Sequence, residues 1–227
     1  MANDTPFPLP RCIFFDLDGT LLDSLPGITH SVNRAFAACS LPMLKTDLRK
    51  QIGPPVRTIL ARLAGEISEH DLDRLEQAFR ASYDGDGWRM THCYPGAREI
   101  LLGMRGQDLR LFVVSNKPRH IAVQILEAEG TAALFEEIVT KDSRQPHYSG
   151  KDEMIAMLLA SHGLESQECM MVGDTIEDGL AAAKAKMKFI LMTHGYGDVL
   201  ESAEVPVALR MSHFSEFMPL LTKEIVG

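Results

Sequence analysis

The 227 residues carry 45% hydrophobic and 24% charged side chains, ordinary globular proportions that allow one sizeable core or a core with a smaller companion. A net charge of −8 argues against a nucleic-acid or anionic-membrane surface, which normally needs a basic footprint, but leaves room for a small anion met by local cations or a metal. No apolar run reaches transmembrane length, Met1 to Arg11 lacks a signal-peptide core, and Cys12, Cys39, Cys93 and Cys169 are too widely spaced for a zinc site or disulfide framework, so a soluble cytoplasmic protein with structural thiols is expected.

Residues 1 to 11, with Pro6, Pro8 and Pro10, read as an extended lead-in. Cys12-Ile13-Phe14-Phe15 then suits a short strand buried on both faces, and it runs straight into Asp16-Leu17-Asp18-Gly19-Thr20. Ionised groups at a core boundary need compensation by a metal, by hydrogen bonds or by both. From Ser24 the pattern turns helical: Ile28, Val32, Ala35 and Phe36 recur at helical spacing, with Pro26 at an early position. Lys45 to Gln51, Val56 to Ala64 and Asp71 to Tyr83 extend the helical reading, and nothing between Ser24 and Cys93 resembles a strand. Such a stretch is far longer than the helix of a β-α-β unit, so residues 24–94 are expected to form a helical lid, or cap, over a core made of 1–23 and 95–227.

After Tyr94-Pro95-Gly96, a hinge by composition, strand and helix alternate. Helices are expected at Ala97 to Met104, Arg119 to Glu129, Lys151 to His162 and Ile176 to Ala185. Strands are expected at Leu109 to Val114, Phe135 to Thr140, Cys169 to Val172 and Phe189 to Met192, the last clear one. This rhythm predicts an α/β fold: a Rossmann-like, mostly parallel sheet with helices on both faces, and with its ligand beyond the carboxyl ends of the strands.

The polar residues fall at that edge. Asp16 and Asp18 follow the first strand, Ser115 the second, and Asp174 the strand at Cys169–Val172, with Asp178 one helical turn later. Four carboxylates converging without a cation would repel one another, and a hard divalent ion with oxygen ligands, Mg²⁺ above all, resolves this. Ser115 and Asn116 offer a hydroxyl and an amide at a strand-to-helix turn suited to an anion. Lys151 opens a helix, where the dipole disfavours a cation; either something negative lies in front of it or it is an ordinary exposed lysine.

Asp16-Leu17-Asp18-Gly19-Thr20, Ser115-Asn116-Lys117-Pro118, Lys151 and Gly173-Asp174-Thr175-Ile176-Glu177-Asp178 together resemble the four motifs of the haloacid dehalogenase-like phosphohydrolases. The likeness spans residue 12 to about 197, and the helical insert with its Tyr94-Pro95-Gly96-Ala97 return is similar to the phosphoglycolate phosphatase-like branch. The resemblance implies a Mg²⁺-dependent phosphatase of a small phosphomonoester, with Asp16 as nucleophile and Asp18 as general acid and base. It implies that Ser115 and Lys151 hold the phosphoryl oxygens, that Asp16, the Asp18 carbonyl and Asp174 hold the metal, and that Asp178 is a second ligand or an outer-sphere support. Thr20 braces the loop or meets substrate beside Asn116.

Dehalogenases of the family lack an aspartate matching Asp18, so its presence favours phosphoryl transfer. Lys151 departs from the pattern of near relatives, which often show Lys-Pro; Lys141 is the other candidate, though it follows its strand too closely. A sugar-phosphate phosphomutase or a pyrophosphatase would share these core motifs, and a non-catalytic binding relative is the reading from another class. The expected partner is a small phosphorylated metabolite, acted on by a monomer or homodimer. In the lid, Arg57 reads equally as an anion contact or as a solvated arginine at a helix turn. His30, His120 and His92-Cys93 read as structural or surface groups, and Gly195-Tyr196-Gly197 as a loop of undetermined role.

Overall fold

Strand β1, Cys12–Phe15, is buried at every residue, and its alternating side chains enter two different cores. The structure, a computed structural model, describes residues 10–42, 47–197 and 205–221. After β1 come β2 (Leu22–Asp23), α1 (Leu25–Ala38), α2 (Val56–Ala64), α3 (Glu69–Gly85), β3 (His92–Cys93) and α4 (Ala97–Arg105). Then follow β4 (Arg110–Ser115), α5 (Arg119–Ala128), β5 (Glu137–Thr140), α6 (Lys151–His162), β6 (Cys169–Gly173), α7 (Ile176–Lys184), β7 (Lys188–Met192), β8 (Val207–Met211) and α8 (Met218–Leu221).

Six strands form one parallel sheet in the order β5-β4-β1-β6-β7-β8. Period-two alternation sends Ile13, Phe15, Leu111, Val113, Met170 and Val172 to one face, where α4 and α5 pack with Ile100, Leu101, Ile121 and Ile125. Phe14, Phe112, Val114, Met171, Phe189 and Leu191 face the other way, toward Met154, Ile155 and Leu158 of α6 and Ala181 and Ala182 of α7. Both faces are covered, which is why these strands read as continuous apolar runs rather than alternating ones. From β1 the chain adds β4 and β5 on one side, then crosses back to add β6, β7 and β8 on the other. The ends of β1, β4 and β6 therefore flank a topological switch point, where a parallel sheet offers a crevice.

Helix α1 packs against α3, and α2 against α3, joined to the first core through Leu60, Leu72, Leu75 and Phe79. Two expectations are corrected between Ser24 and Cys93. A strand does lie there: β3 pairs antiparallel with β2, Leu22 opposite Cys93 and Asp23 opposite His92, too short for periodicity to reveal. Instead of a helix from Lys45, Arg49–Gln51 makes a single 3-10 turn, and 43–46 lie outside the described residues, as does the lead-in over 1–9. Past the strand expected to be last, β8 adds an edge, half exposed, so that only Met211 of its five residues is buried. No helix among the described residues is long and apolar enough to cross a membrane.

Tyr196 ties the far end of the sheet to the start of the helical segment. Its hydroxyl accepts from the backbone N–H groups of Ser24 (2.7 Å) and Leu25 (3.0 Å) at the head of α1, and donates to Asp23 (2.7 Å). Tyr196→Phe is expected to strand one buried and one half-buried donor and to cost about 1–3 kcal/mol, read as a lower urea midpoint at unchanged slope.

Candidate active site

Asp16 leaves β1 directly onto the crevice. Its own N–H donates to the Val172 carbonyl of β6 (3.0 Å), which fixes the backbone while the side chain turns outward. The chain then coils so tightly that Leu17 O accepts from the N–H groups of Thr20, Leu21 and Leu22. Gly19, at φ +86°, makes this possible, and a side chain there would strike the Asp174 carboxylate. Gly195 approaches the same carboxylate from the opposite wall and is equally closed to a Cβ.

Asp16, Asp174 and Asp178 each offer a carboxylate oxygen, and these oxygens lie within 4.8 Å of one another, all buried. Lys151, the first residue of α6, reaches between them: its Nζ is 2.7 Å from Asp16 Oδ1 and 2.6 Å from Asp178 Oδ1. The lysine placed against a helix dipole thus has its negative charge in front of it. Burial opposes its cation, yet Asp16 and Asp178 raise its pKa above the ordinary lysine value. Asp174 takes the Thr20 hydroxyl on Oδ1 (3.0 Å) and the N–H groups of Tyr196 (2.7 Å) and Gly197 (3.2 Å) on Oδ2. Asp178 closes a capping box at the start of α7, accepting from Thr175 N (3.0 Å) and Thr175 Oγ1 (2.6 Å).

One lysine does not balance three carboxylates. Burial, with Asp178 and Asp174 alongside, pushes the Asp16 carboxyl well above the usual range against the pull of Lys151. Burial and Asp178 push Asp174 up to about 6. A nook of three carboxylates in which Asp16 and Asp174 resist ionisation is what a hard divalent cation would occupy and neutralise, so the residues present fit such an ion.

Asp18 stands apart from this cluster. Its carboxylate is held by Lys117 Nζ at 2.8 Å, and Lys117 also donates to the Tyr83 hydroxyl of α3 at 2.8 Å. Three carboxylates therefore converge where four were expected. Thr20, fully buried, bonds Asp174 and does not line the open cavity, whereas Asn116 does, its amide shared between Glu177 (3.1 Å) and the Gly53 carbonyl (3.4 Å). Ser115, at the end of β4, also lines that cavity. Arg57 is a correction to the anion-contact reading. It points away, bonded to Glu69 (2.7 Å), Asp73 (2.7 Å) and Glu76 (3.1 Å) of α3, at the helix turn that was the other reading.

The pattern of conserved features of the haloacid dehalogenase-like hydrolases matches residues 13–192. The chain belongs to that family. This hydrolase is 32% identical over 234 residues to a phosphoglycolate phosphatase of Agrobacterium fabrum, covering 98% of this chain and 97% of the relative. Among solved structures it resembles a predicted phosphoglycolate phosphatase of Haemophilus somnus, with a TM-score of 0.84 and 26% identity over 94% of this chain and 99% of that one. It also resembles protein tyrosine kinase A of Mycobacterium tuberculosis, with a TM-score of 0.81 and 28% identity over 94% and 99%. The hydrolase sits in the phosphoglycolate phosphatase-like branch, and its shared fold alone does not name a phosphoryl acceptor.

Two residues of the hydrolase's site escaped the sequence reading. Lys117, itself buried, sits inside the Ser115–Pro118 motif, but its partners, half-buried Asp18 and buried Tyr83, are remote in sequence, and nothing local marks the link. Tyr196 was visible only as part of a Gly-Tyr-Gly loop. The cavity between Asp16 and α3 has a volume of about 110 Å³.

Proposed function

We propose that this protein is a Mg²⁺-dependent phosphatase of a small phosphomonoester that works through a phosphorylated Asp16. The observation that carries the reading is the pairing of Asp16 and Asp18 on the wall of one cavity, with Lys151 2.7 Å from the first and Lys117 2.8 Å from the second. Asp16 attacks phosphorus, forming a carboxylate–phosphorus bond as the ester bond breaks, and Asp18 gives its proton to the departing alkoxide. Asp18 then takes a proton from water, whose oxygen displaces Asp16 and releases inorganic phosphate. Lys151 and the Ser115 hydroxyl hold phosphoryl oxygens. Asp16 and Asp174 would hold Mg²⁺ with the Asp18 carbonyl, and Asp178 supports from behind through Lys151 and Thr175. When bound, the ion supplies neutralisation of charge on the transferring group.

Residues 24–94, entering and leaving through the β2–β3 pair, form the cap that closes over the substrate, with 1–23 and 95–227 as the core. The names of the relatives make phosphoglycolate the reference ester. Four free cysteines and the acidic net charge favour a soluble metabolite in the reducing cytoplasm.

The covalent step is tested by acid-quenching the protein during turnover and mapping phosphate by mass spectrometry. The expected result is phosphate on the peptide that holds Asp16; turnover with no protein-bound phosphate, quenched at any time, would remove the covalent route. Lys117→Met is expected to lower kcat by about 10- to 100-fold, because it releases the carboxylate of Asp18 from its 2.8 Å hold while leaving the phosphoryl cradle in place.

A further inference from the structure

The outer cavity is lined by apolar side chains: Ile28 and Phe79 from α1 and α3, Ile52, Val56 and Ile59 from the α2 region, and Ile121 from α5. Pro54 and Pro55 complete that wall and bring no N–H donors. Its charged members are Asp16, Asp18 and Asp84 against Arg80 and Lys117, an excess of carboxylates. Both cations are engaged. Lys117 is matched by Asp18, and Arg80 places Nε (3.1 Å) and Nη2 (2.7 Å) on one oxygen of Glu76. Arg57, outside the lining, is turned to α3 and bound by three carboxylates, and Arg49 lies over the Tyr196 ring with Nη1 3.4 Å from the His194 and Gly195 carbonyls. Asp84, 3.2 Å from His120, adds negative charge at the rim.

A leaving group that carried its own carboxylate, as glycolate does, would lose water in this chamber against a wall whose two cations, Lys117 and Arg80, already hold carboxylates. An uncharged alkyl or aryl group would instead cover the isoleucines and Phe79. We infer that the organic part of the substrate is neutral and apolar, so that the products are inorganic phosphate and an uncharged alcohol or phenol. This inference rests on the phosphatase reading of the same site and specifies the side of the cavity remote from Asp16.

The test compares two esters of similar size, isobutyl phosphate and phosphoglycolate, with purified wild-type protein and Mg²⁺. The expected result is a kcat/KM at least about tenfold higher for isobutyl phosphate. Val56→Lys places a cation in the partly exposed part of the wall and is expected to swing the ratio toward phosphoglycolate by about tenfold or more. Preference for phosphoglycolate by wild type would overturn the inference and leave the phosphatase reading intact. So would a Val56→Lys variant that turns over both esters at an unchanged ratio. Turnover of neither ester, nor of phenyl phosphate, would overturn the phosphatase reading and the inference with it.

Discussion

Asp16→Asn is expected to reduce phosphate release by about 10⁵-fold while leaving the fold intact. The amide is nearly isosteric and cannot form the carboxylate–phosphorus bond, so the loss lies in kcat. Stability is the informative control. In the ion-free protein Asp16 is one of three buried carboxylates sharing a single lysine, and burial, with Asp178 and Asp174 alongside, pushes its pKa upward against Lys151. Removing its charge relieves that repulsion, and Lys151 keeps Asp178 at 2.6 Å. At neutral pH without divalent ions, the variant should melt no lower than wild type. Equal phosphate release by variant and wild type would withdraw the nucleophile assignment; an inactive variant with a collapsed melting temperature would mean that Asp16 is needed for the fold as well.

Chelation of divalent ions is expected to lower activity by at least about 10³-fold and to lower stability in a pH-dependent way. The sign follows from Asp174, whose folded-state pKa is about 6 against an ordinary 3.8. A raised carboxyl pKa means that the folded protein holds its proton more tightly than the unfolded chain. That stabilisation is fully present below about pH 4 and fades as pH rises through about 6. Asp16 is shifted in the same direction. Above about pH 6 the Asp174 carboxylate carries its charge beside its neighbours, and there a divalent ion has most to neutralise. Saturating Mg²⁺ should raise the melting temperature by about 5–10 °C at pH 7.5 and much less at pH 5. Taking the difference with and without ion at each pH cancels the titration of carboxylates elsewhere. An ion effect that was the same at both pH values would show that the cation binds away from these aspartates.

The sheet core was legible because each central strand is buried on both faces, so Cys12–Phe15 and Cys169–Val172 announce themselves as uninterrupted apolar runs. Helix ends were legible where local chemistry fixes them: Pro26 near the start of α1, Gly163 in the left-handed conformation after α6. The positions of Asp16, Ser115 and Asp174 along one edge follow from strand direction alone. What escaped is what depends on distant partners or weak burial. Strand β8 is half exposed at the sheet's edge, and the β2–β3 pair has only two residues on each side. Arg57 illustrates the limit: the carboxylates that bind it recur along α3 at Glu69, Asp73 and Glu76, a helical stripe, but only packing shows that α2 presents the arginine to it. Lys117 is the reverse case, a buried lysine in a local motif whose partners cannot be guessed from its neighbours.

The central place of β1 bears on how the protein comes into being. Strand β1 is made well before its partners: Cys12 pairs with Arg110 on one side and Cys169 on the other, 98 and 157 residues later. Until β4 has been synthesised, this apolar segment has no strand of its sheet to pair with and is exposed to premature association. The acidic cluster must assemble later still, since Asp174 and Asp178 lie just beyond β6. The carboxylate cluster is thereby tied to the synthesis of β6 and the start of α7, and a nascent or truncated product that stops before β6 carries Asp16 without Asp174 and Asp178.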